Sequence, residues 1–232
     1  VLASGEVRHL DIVEISPEVV EASAHFDREN RGVLNKPGVR LLIGDGRSHL
    51  RLSDRQYDVI VSEPSNPWMA GVAALFTREF FDAARARLRS GGVFCQWAHT
   101  YEISAEDLRS IVHTFASVFP DGTMWLVGES DLLLIGSVTG SIESHVAAVA
   151  ERLRLGSVPA LLNDVAVPSI AAPFVLFSLF AGGPNELATF GEGAALQTDD
   201  RMSLEFTAAR AMYAPPEGNA VLHTLTAGDD VP

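Results

Sequence analysis

The sequence has few of the residues on which several classes of site and partner depend. It contains one cysteine, Cys95, so neither a disulfide framework nor a cysteine-based metal site can form within the chain. Its 17 lysines and arginines are outnumbered by 30 acidic residues, which gives a formal net charge of −13. Because nucleic-acid binding depends on basic patches that contact phosphates, no nucleic-acid partner is expected. The seven histidines show no metal-ligand spacing, so no metal is expected.

Targeting and membrane signals are equally sparse. No signal peptide is recognisable at the N-terminus, and the sequence opens on Val1 rather than methionine, which suggests a fragment or a processed product. The uncharged run from Val165 to Gly183 is long enough for a membrane span, but Pro168 and Pro173 interrupt it, so a buried helix is predicted. The single cysteine fits a reducing compartment. A cytoplasmic location is expected, for the whole protein or for this chain as the cytoplasmic domain of a membrane protein.

What the sequence does contain is an alternation of apolar strands and helical segments. This alternation predicts an α/β fold with a parallel, doubly wound sheet, closed by an antiparallel pair. From about Ser141 the pattern changes to alanine-rich segments separated by prolines, so we divide the chain into residues 1–140 and a small helical C-terminal region, 141–232. The predicted strands are His9–Ile15, Val39–Ile43, Tyr57–Ser62, Val93–Trp97, Thr123–Val127 and Asp131–Gly136, and helices are predicted after Ser16, Thr77 and Ser104.

A sheet of this kind usually begins with a strand followed by a glycine-rich turn and a helix. The first strand recognisable here already ends in the acidic residue Glu14. We therefore expect the first strand and its glycine loop to be absent from this chain.

Polar residues follow each of the four predicted parallel strands, and ligands bind at the carboxyl ends of such strands. Glu14 can accept hydrogen bonds from a ribose diol, although an exposed acid beside a helix start is equally compatible. In Gly44-Asp45-Gly46, Asp45 can accept from an exocyclic amine and Gly46 permits close approach of a ligand, but an ordinary Asx turn also explains this tripeptide. Glu63 follows the third strand and Gln96 lies at the end of the fourth.

The loop after the third strand is the most informative segment. Pro64 and Pro67 fix its backbone, Asn66 offers hydrogen bonds, and Trp68 offers a flat apolar surface. A carboxylate held at Glu63 can orient or deprotonate an amine. Proline and asparagine also simply make turns. His99 falls close to the same crevice, but a surface or core histidine is the favoured interpretation for it.

Five motifs occur in order between Val7 and Ser137, namely Val13 to Val20, Gly44 to Arg47, Tyr57 to Val61, Leu75 to Phe81 and Gly91 to Gln96. This ordered set resembles the spermidine synthase (polyamine aminopropyltransferase) family. Glu63 to Met69 is similar to a divergent branch of that family often fused to membrane-spanning segments, and so is the polar cluster Thr198-Asp199-Asp200-Arg201.

This resemblance implies a Rossmann-like, methyltransferase-type fold and a transferase. The implied reaction moves an aminopropyl group from decarboxylated S-adenosylmethionine, a co-substrate, to a polyamine or diamine, without a metal. By position, Glu63 corresponds to the catalytic aspartate. The resemblance assigns donor binding to Glu14, Asp45 and Gly46, and acceptor binding to Asn66 and Gln96.

Two departures from the family pattern concern the acceptor. Glutamate for aspartate at position 63 adds a methylene, and asparagine for aspartate at position 66 removes a negative charge that would hold a cationic amine. Two alternatives therefore stay open, namely a methyltransferase using S-adenosylmethionine and a non-catalytic nucleoside-binding domain of a membrane protein. Membrane-spanning segments in the parent protein and a homodimer are also compatible with the sequence.

Overall fold

The computed structural model describes residues 6–128, 130–140, 149–151, 172–211 and 213. Within this part of the chain the strands are β1 (Leu10–Glu14), β2 (Val39–Ile43), β3 (Tyr57–Ser62), β4 (Leu88–His99), β5 (Thr123–Val127), β6 (Asp131–Ser137) and β7 (Phe180–Gly182). The α-helices are α1 (Pro17–Ala22), α2 (Asp27–Asn30), α3 (Gly46–Leu52), α4 (Arg78–Ala86), α5 (Ala105–Val118), α6 (Ala172–Phe177), α7 (Pro184–Gly191) and α8 (Leu204–Ala211). Short 3₁₀ helices cover Ser23–Phe26, Val33–Asn35 and Val72–Phe76.

The chain divides into two compact units. The first comprises Val1–Asp54 with Ala147–Val175, and the second comprises Arg55–Val146 with Leu176–Pro232. In the first unit, β1 and β2 pair in parallel with Glu14 opposite Ile43, and a helical crossover joins them. The division at residue 140 and the absent first strand both stay predictions.

The second unit contains a five-stranded sheet of order β3-β4-β6-β5-β7. β3 and β4 are parallel and joined through α4, whereas β6, β5 and β7 add antiparallel strands. The parallel pairs with helical crossovers and the antiparallel closing pair confirm the predicted Rossmann-like α/β architecture. β3 lies at one end of this sheet, and two of its valines, Val59 and Val61, are 58% and 56% exposed.

Local signals explain where the helices begin. Ser16, Thr77 and Ser104 each accept a hydrogen bond from a backbone N–H in the first turn of the helix that follows, as predicted for N-cap residues. Pro17 occupies the first position of α1, where a missing N–H costs nothing. The starts of α1, α4 and α5 therefore follow from single capping residues.

One face of the five-stranded sheet is covered by an aromatic core. Five phenylalanines from α4, β4, α5 and the turn after α5 pack with ring centroids 5.1 to 6.3 Å apart. Burying each such side chain contributes about 1.5–3 kcal/mol. These residues are Phe80, Phe81, Phe94, Phe115 and Phe119.

Close packing in this core depends on a glycine in β6. A Cβ built on Gly136 would lie 2.5 Å from Cγ of Phe119, well inside van der Waals contact. The Phe119 ring therefore fills the space that a side chain at position 136 would need.

The described C-terminal segment joins the second unit through a buried polar network around Gln197, which is 1% exposed. Its Nε2 donates to Ser110 Oγ (2.6 Å) and Ser203 Oγ (2.8 Å), and its Oε1 accepts from the Leu204 N–H (3.2 Å). Its own N–H donates to Thr114 Oγ1 (2.9 Å). Every polar atom of this side chain is paired, so the network ties the start of α8 to α5.

The polar cluster next to Gln197 serves packing. Asp199 Oδ1 accepts from Thr77 Oγ1 (3.1 Å), and the Asp199 N–H donates to Glu79 Oε2 (3.0 Å) at the start of α4. Of the buried helix predicted over Val165 to Gly183, residues 165–171 lie outside the described residues. The described remainder forms α6 and then β7, with Phe174 78% exposed, so the prediction of one buried helix is wrong there. Among the helices that the structure describes, none has the length and apolarity needed to cross a membrane.

Candidate functional site

Glu14 lies at the carboxyl end of β1 with its side chain fixed by the turn that follows. Its Oε1 accepts from the Ser16 N–H (2.8 Å), and its main-chain oxygen accepts from the Gly44 N–H (2.9 Å). A carboxylate has about four acceptor positions, so one local hydrogen bond leaves most of them for a ligand. The turn therefore holds Glu14 in place without saturating it.

Asp45 begins α3 as its N-cap. Its Oδ1 accepts from the Arg47 N–H (3.2 Å), and its Oδ2 accepts from the N–H (3.0 Å) and Oγ (2.6 Å) of Ser48. Burial acts to raise the pKa of the Asp45 carboxyl, but these hydrogen bonds outweigh it and lower the pKa below its usual value. Asp45 is therefore an anionic acceptor with a structural role of its own.

The two glycines beside Asp45 are not required by the local packing. Neither has a positive φ, and a Cβ on Gly44 or Gly46 would meet no atom within 4 Å. Since neither backbone conformation nor crowding selects glycine here, close approach of a ligand is a remaining physical reason for it.

Glu63 follows β3 directly, and its side chain is exposed. It makes no hydrogen bond or ion pair that involves a described residue. Pro67, four residues on, is buried and anchors the loop. The loop thus presents a carboxylate that has no partner among the residues that the structure describes.

Two amide residues lie near the same strand ends. Asn66 Oδ1 accepts from the Tyr101 hydroxyl (3.3 Å), which links the loops after β3 and β4. Gln96 pairs with Ser62 in the sheet register and is fully buried. Its Nε2 donates to the Trp97 carbonyl (2.9 Å), whereas its Oε1 has no described partner. An unpaired buried oxygen costs about 1–3 kcal/mol, which a ligand donor would recover.

The structure brings the predicted site residues together in two groups. Glu14 and the Gly44-Asp45-Gly46 turn lie at adjacent strand ends of the first unit. In the second unit Glu63 and Asn66 follow β3, and Gln96 lies within β4 opposite Ser62, the last residue of β3. The convergence of both groups on one pocket stays a prediction.

The electrostatics of Cys95 place the charge of Glu63 beside β4. Burial raises the pKa of the Cys95 thiol to about 11, and the negative charge of Glu63 adds to the effect because it disfavours a second anion nearby. Since the sequence has one cysteine, its reactivity reports on this position alone.

We expect Cys95 to react with iodoacetamide at pH 8 about two orders of magnitude more slowly than a free cysteine, because the thiolate fraction falls as the pKa rises. Glu63→Gln removes a neighbouring negative charge, lowers the pKa and speeds the reaction. Glu102→Gln, a charge removal in the next loop, is the matched control and should leave the rate unchanged. Labelling rates measured by mass spectrometry decide this. A Glu63→Gln rate equal to that of the unmodified chain would contradict the proposed proximity.

An aromatic cluster next to these residues was only weakly indicated by the sequence. The His99 ring lies 4.7 Å from Trp68 and 4.8 Å from Tyr101, measured between ring centroids, and 5.9 Å from Trp97. His99 is 1% exposed. Its position at the end of β4 was the available signal, whereas its neighbour Trp68 comes from the loop after β3.

Comparison with known proteins adds an independent line of support. Residues 2–128 match the family model described as the spermine/spermidine synthase domain. Polyamine aminopropyltransferase 2 of Hyperthermus butylicus is 35% identical over 121 residues, which are 51% of this chain and 40% of that protein. Putrescine N-methyltransferase 2 of Nicotiana tabacum is 32% identical over 114 residues, which are 49% of this chain and 32% of that protein. The chain therefore spans less than half the length of these relatives.

The fold has a counterpart among solved structures. A probable spermidine synthase from Corynebacterium glutamicum superposes with a TM-score of 0.52 over 82% of this chain and 63% of that chain, at 19% sequence identity. At this identity the likeness concerns the fold.

Proposed function

Since this chain belongs to the spermine/spermidine synthase family, we propose that it transfers an aminopropyl group from decarboxylated S-adenosylmethionine to a polyamine or diamine acceptor. The observation that carries the proposal is the Glu63 carboxylate on the Pro67-anchored loop, which has no partner among the described residues. It follows Ser62, which pairs with Gln96, and Gln96 Oε1 likewise has no described partner.

The proposed chemistry is a displacement at carbon. The acceptor amine attacks the methylene carbon bonded to the sulfonium sulfur, and the electrons of the carbon–sulfur bond pass to sulfur, which leaves as the thioether of methylthioadenosine. An amine attacks only when its nitrogen lone pair is free, so Glu63 takes or orients the amine proton as a general base. The chain contributes mainly alignment of the reactants, because a sulfonium is already a good leaving group.

The donor-side residues suit a nucleoside. In the proposal Glu14 accepts from the ribose hydroxyls, and Asp45 accepts from the adenine amine while Gly46 lets the base approach the backbone. Both carboxylates are held by local hydrogen bonds, and such fixed acceptors lose little freedom on binding. On the acceptor side, Asn66 and Gln96 contribute amide groups.

Methyl transfer from S-adenosylmethionine is the second candidate. The observation that favours it is the 32% identity to putrescine N-methyltransferase 2 of Nicotiana tabacum. The same proposed nucleoside-binding residues would serve both donors. The two reactions are therefore distinguished by the tail of the donor that the protein prefers, with or without the methionine carboxylate. A non-catalytic nucleoside-binding domain is the remaining alternative, and membrane segments, a homodimer and a cytoplasmic location stay predictions.

Donor preference tests these candidates. In the complete natural protein that contains this chain, we expect decarboxylated S-adenosylmethionine to bind about tenfold or more tightly than S-adenosylmethionine, a difference of about 1.4 kcal/mol. Putrescine should strengthen the binding of methylthioadenosine, because product and acceptor occupy neighbouring sites. Isothermal titration calorimetry with each nucleoside, with and without putrescine, measures both effects.

Adenosine serves as the reference ligand, since it lacks the donor tail. Tighter binding of S-adenosylmethionine than of its decarboxylated form would favour methyl transfer. Failure of methylthioadenosine, S-adenosylmethionine and decarboxylated S-adenosylmethionine to bind would contradict both enzymatic candidates.

A further inference from the structure

The aromatic cluster at the end of β4 holds a histidine whose ring nitrogens have no partner in the part of the chain that the structure describes. His99 is 1% exposed, yet neither Nδ1 nor Nε2 has a hydrogen bond to any described residue. Each unpaired buried polar group is costly, and such groups in native proteins are rare enough to need an explanation. A bound molecule that supplies the missing partner is one such explanation.

The walls around His99 are suited to a cation. Trp68 and Tyr101 flank the imidazole with their rings, and aromatic rings attract ammonium groups. Within the cluster the His99 ring is the group able to accept a hydrogen bond through an unshared nitrogen lone pair. An aromatic enclosure that contains such an acceptor matches a protonated amine.

The charge beside His99 has the matching sign. Asp131 pairs with His99 across β4 and β6, and directly opposite residues of an antiparallel pair point to the same face. Asp131 Oδ1 accepts from Trp97 Nε1 (3.0 Å), and the carboxylate forms no ion pair with a described residue. A half-buried carboxylate without a counter-cation therefore lies next to an unpaired imidazole.

The imidazole is uncharged at neutral pH. Burial lowers the pKa of His99 to about 4, and the charge of Asp131 opposes this only in part. A neutral ring offers a lone pair and does not repel an ammonium group.

Tyr101 packs against His99. Its ring covers His99, it is 40% exposed, and its hydroxyl is tied to the protein through a 3.3 Å bond to Asn66. The next residue, Glu102, has a φ of 50°, a left-handed conformation that is uncommon outside glycine. The covering side chain thus lies on a turn with an unfavourable backbone conformation and is held by one long hydrogen bond.

We propose that His99, Trp68 and Asp131 form the ammonium-binding part of the acceptor pocket, and that Tyr101 swings aside when the amine binds. This inference rests on the proposed function, because it names how the acceptor of that reaction is held. His99 is a substrate-binding residue in this arrangement. Asn66 carries no charge that could hold a cationic amine. In this arrangement the imidazole and the aromatic rings would attract the cation instead.

The test is an NMR titration of the histidine ring signals in the complete natural protein with putrescine, and with 1,4-butanediol as an uncharged probe of the same length. The His99 signals, assigned by their loss in His99→Phe, should shift with putrescine and not with the diol. His99→Phe keeps the ring packing but removes both nitrogens, so the KM for putrescine should rise about 10- to 100-fold. Methylthioadenosine affinity should stay unchanged.

Two further variants make the result specific. His99→Asn retains a hydrogen-bond acceptor and should recover part of the putrescine affinity, whereas His25→Phe, at an exposed histidine of the first unit, should leave it unchanged. Absence of a putrescine-dependent shift at His99, or an unchanged KM in His99→Phe, would overturn the inference while leaving group transfer intact. A shift at His99 without any transfer activity would instead support the amine site and contradict the proposed function.

Discussion

Glu63→Gln is expected to lower kcat/KM for group transfer by about 10²- to 10⁴-fold, the range found when a positioned general base is removed. Glutamine has nearly the same size and retains an acceptor oxygen, but it cannot take a proton. Because Glu63 makes no hydrogen bond to a described residue, its replacement breaks no such contact. The fold and the affinity for methylthioadenosine should therefore be preserved. Initial rates and nucleoside titrations on the complete natural protein measure the two quantities separately.

Two substitutions control this experiment. Asp58→Asn removes a charge from the same strand at a surface ion pair with Arg89, where the side chain is 77% exposed, and should leave the rate unchanged. Glu63→Asp keeps the carboxylate but shortens its reach, so its rate should lie between those of the unmodified protein and Glu63→Gln. A Glu63→Gln enzyme with an undiminished rate would show that the proton leaves by another route.

Gln197→Leu is expected to lower the free energy of unfolding by about 3 kcal/mol, because leucine cannot replace three side-chain hydrogen bonds within a closed core. The Ser203 hydroxyl and the Leu204 N–H lose their partner in Gln197, and the Ser110 hydroxyl loses one of two hydrogen bonds because it still donates to the Ala195 carbonyl. For a chain of this size, such a loss corresponds to a fall in Tm of roughly 6–12 °C. Differential scanning calorimetry or urea unfolding checks it.

The matched control for the buried glutamine is an exposed one. Gln56 makes a single 3.4 Å hydrogen bond to the Ala86 carbonyl at the surface, so Gln56→Leu should change the free energy of unfolding by no more than about 0.5 kcal/mol. Equal stabilities for the two variants would mean that the Gln197 network contributes nothing beyond its packing volume.

Much of the fold could be predicted because its signals are local. β2 and β3 have the bounds that the apolar runs predict. Ser16, Thr77 and Ser104 are the N-cap residues of α1, α4 and α5, as predicted. In these segments a strand or helix is specified by the order of a few neighbouring side chains. Sequence alone was sufficient there.

Elements that depend on distant partners were less accessible. β4 was predicted as Val93–Trp97 but runs from Leu88 to His99. Its first residue, Leu88, pairs with Tyr57 of β3, and the strand continues through Gly91 although that residue has a φ of 75°. β7 has three residues, and its pairing with β5 joins segments more than fifty residues apart. Neither the extension of β4 nor the strand β7 is indicated by the residues of that segment alone.

The same distinction applies to the site. Glu14, Asp45 and Glu63 could be predicted because residues at the carboxyl end of a parallel strand have a known place. Gln96 was predicted at the end of β4 but lies inside it, opposite the last residue of β3. The surroundings of His99 could not be inferred in this way. They depend on Trp68 from the loop after β3 and on Asp131 from an antiparallel strand, and only the folded chain brings these together.

The close fit of Phe119 over Gly136 has a consequence for how this sequence can change over generations. A methyl group at position 136 would lie 2.5 Å from Cγ and 2.7 Å from Cβ of Phe119, and every residue except glycine at position 119 keeps that Cβ. A smaller side chain at position 119 therefore does not make room for the methyl group, and it leaves a void in the aromatic core. Both residues are therefore expected to be retained, since a change at one position does not make a change at the other easier.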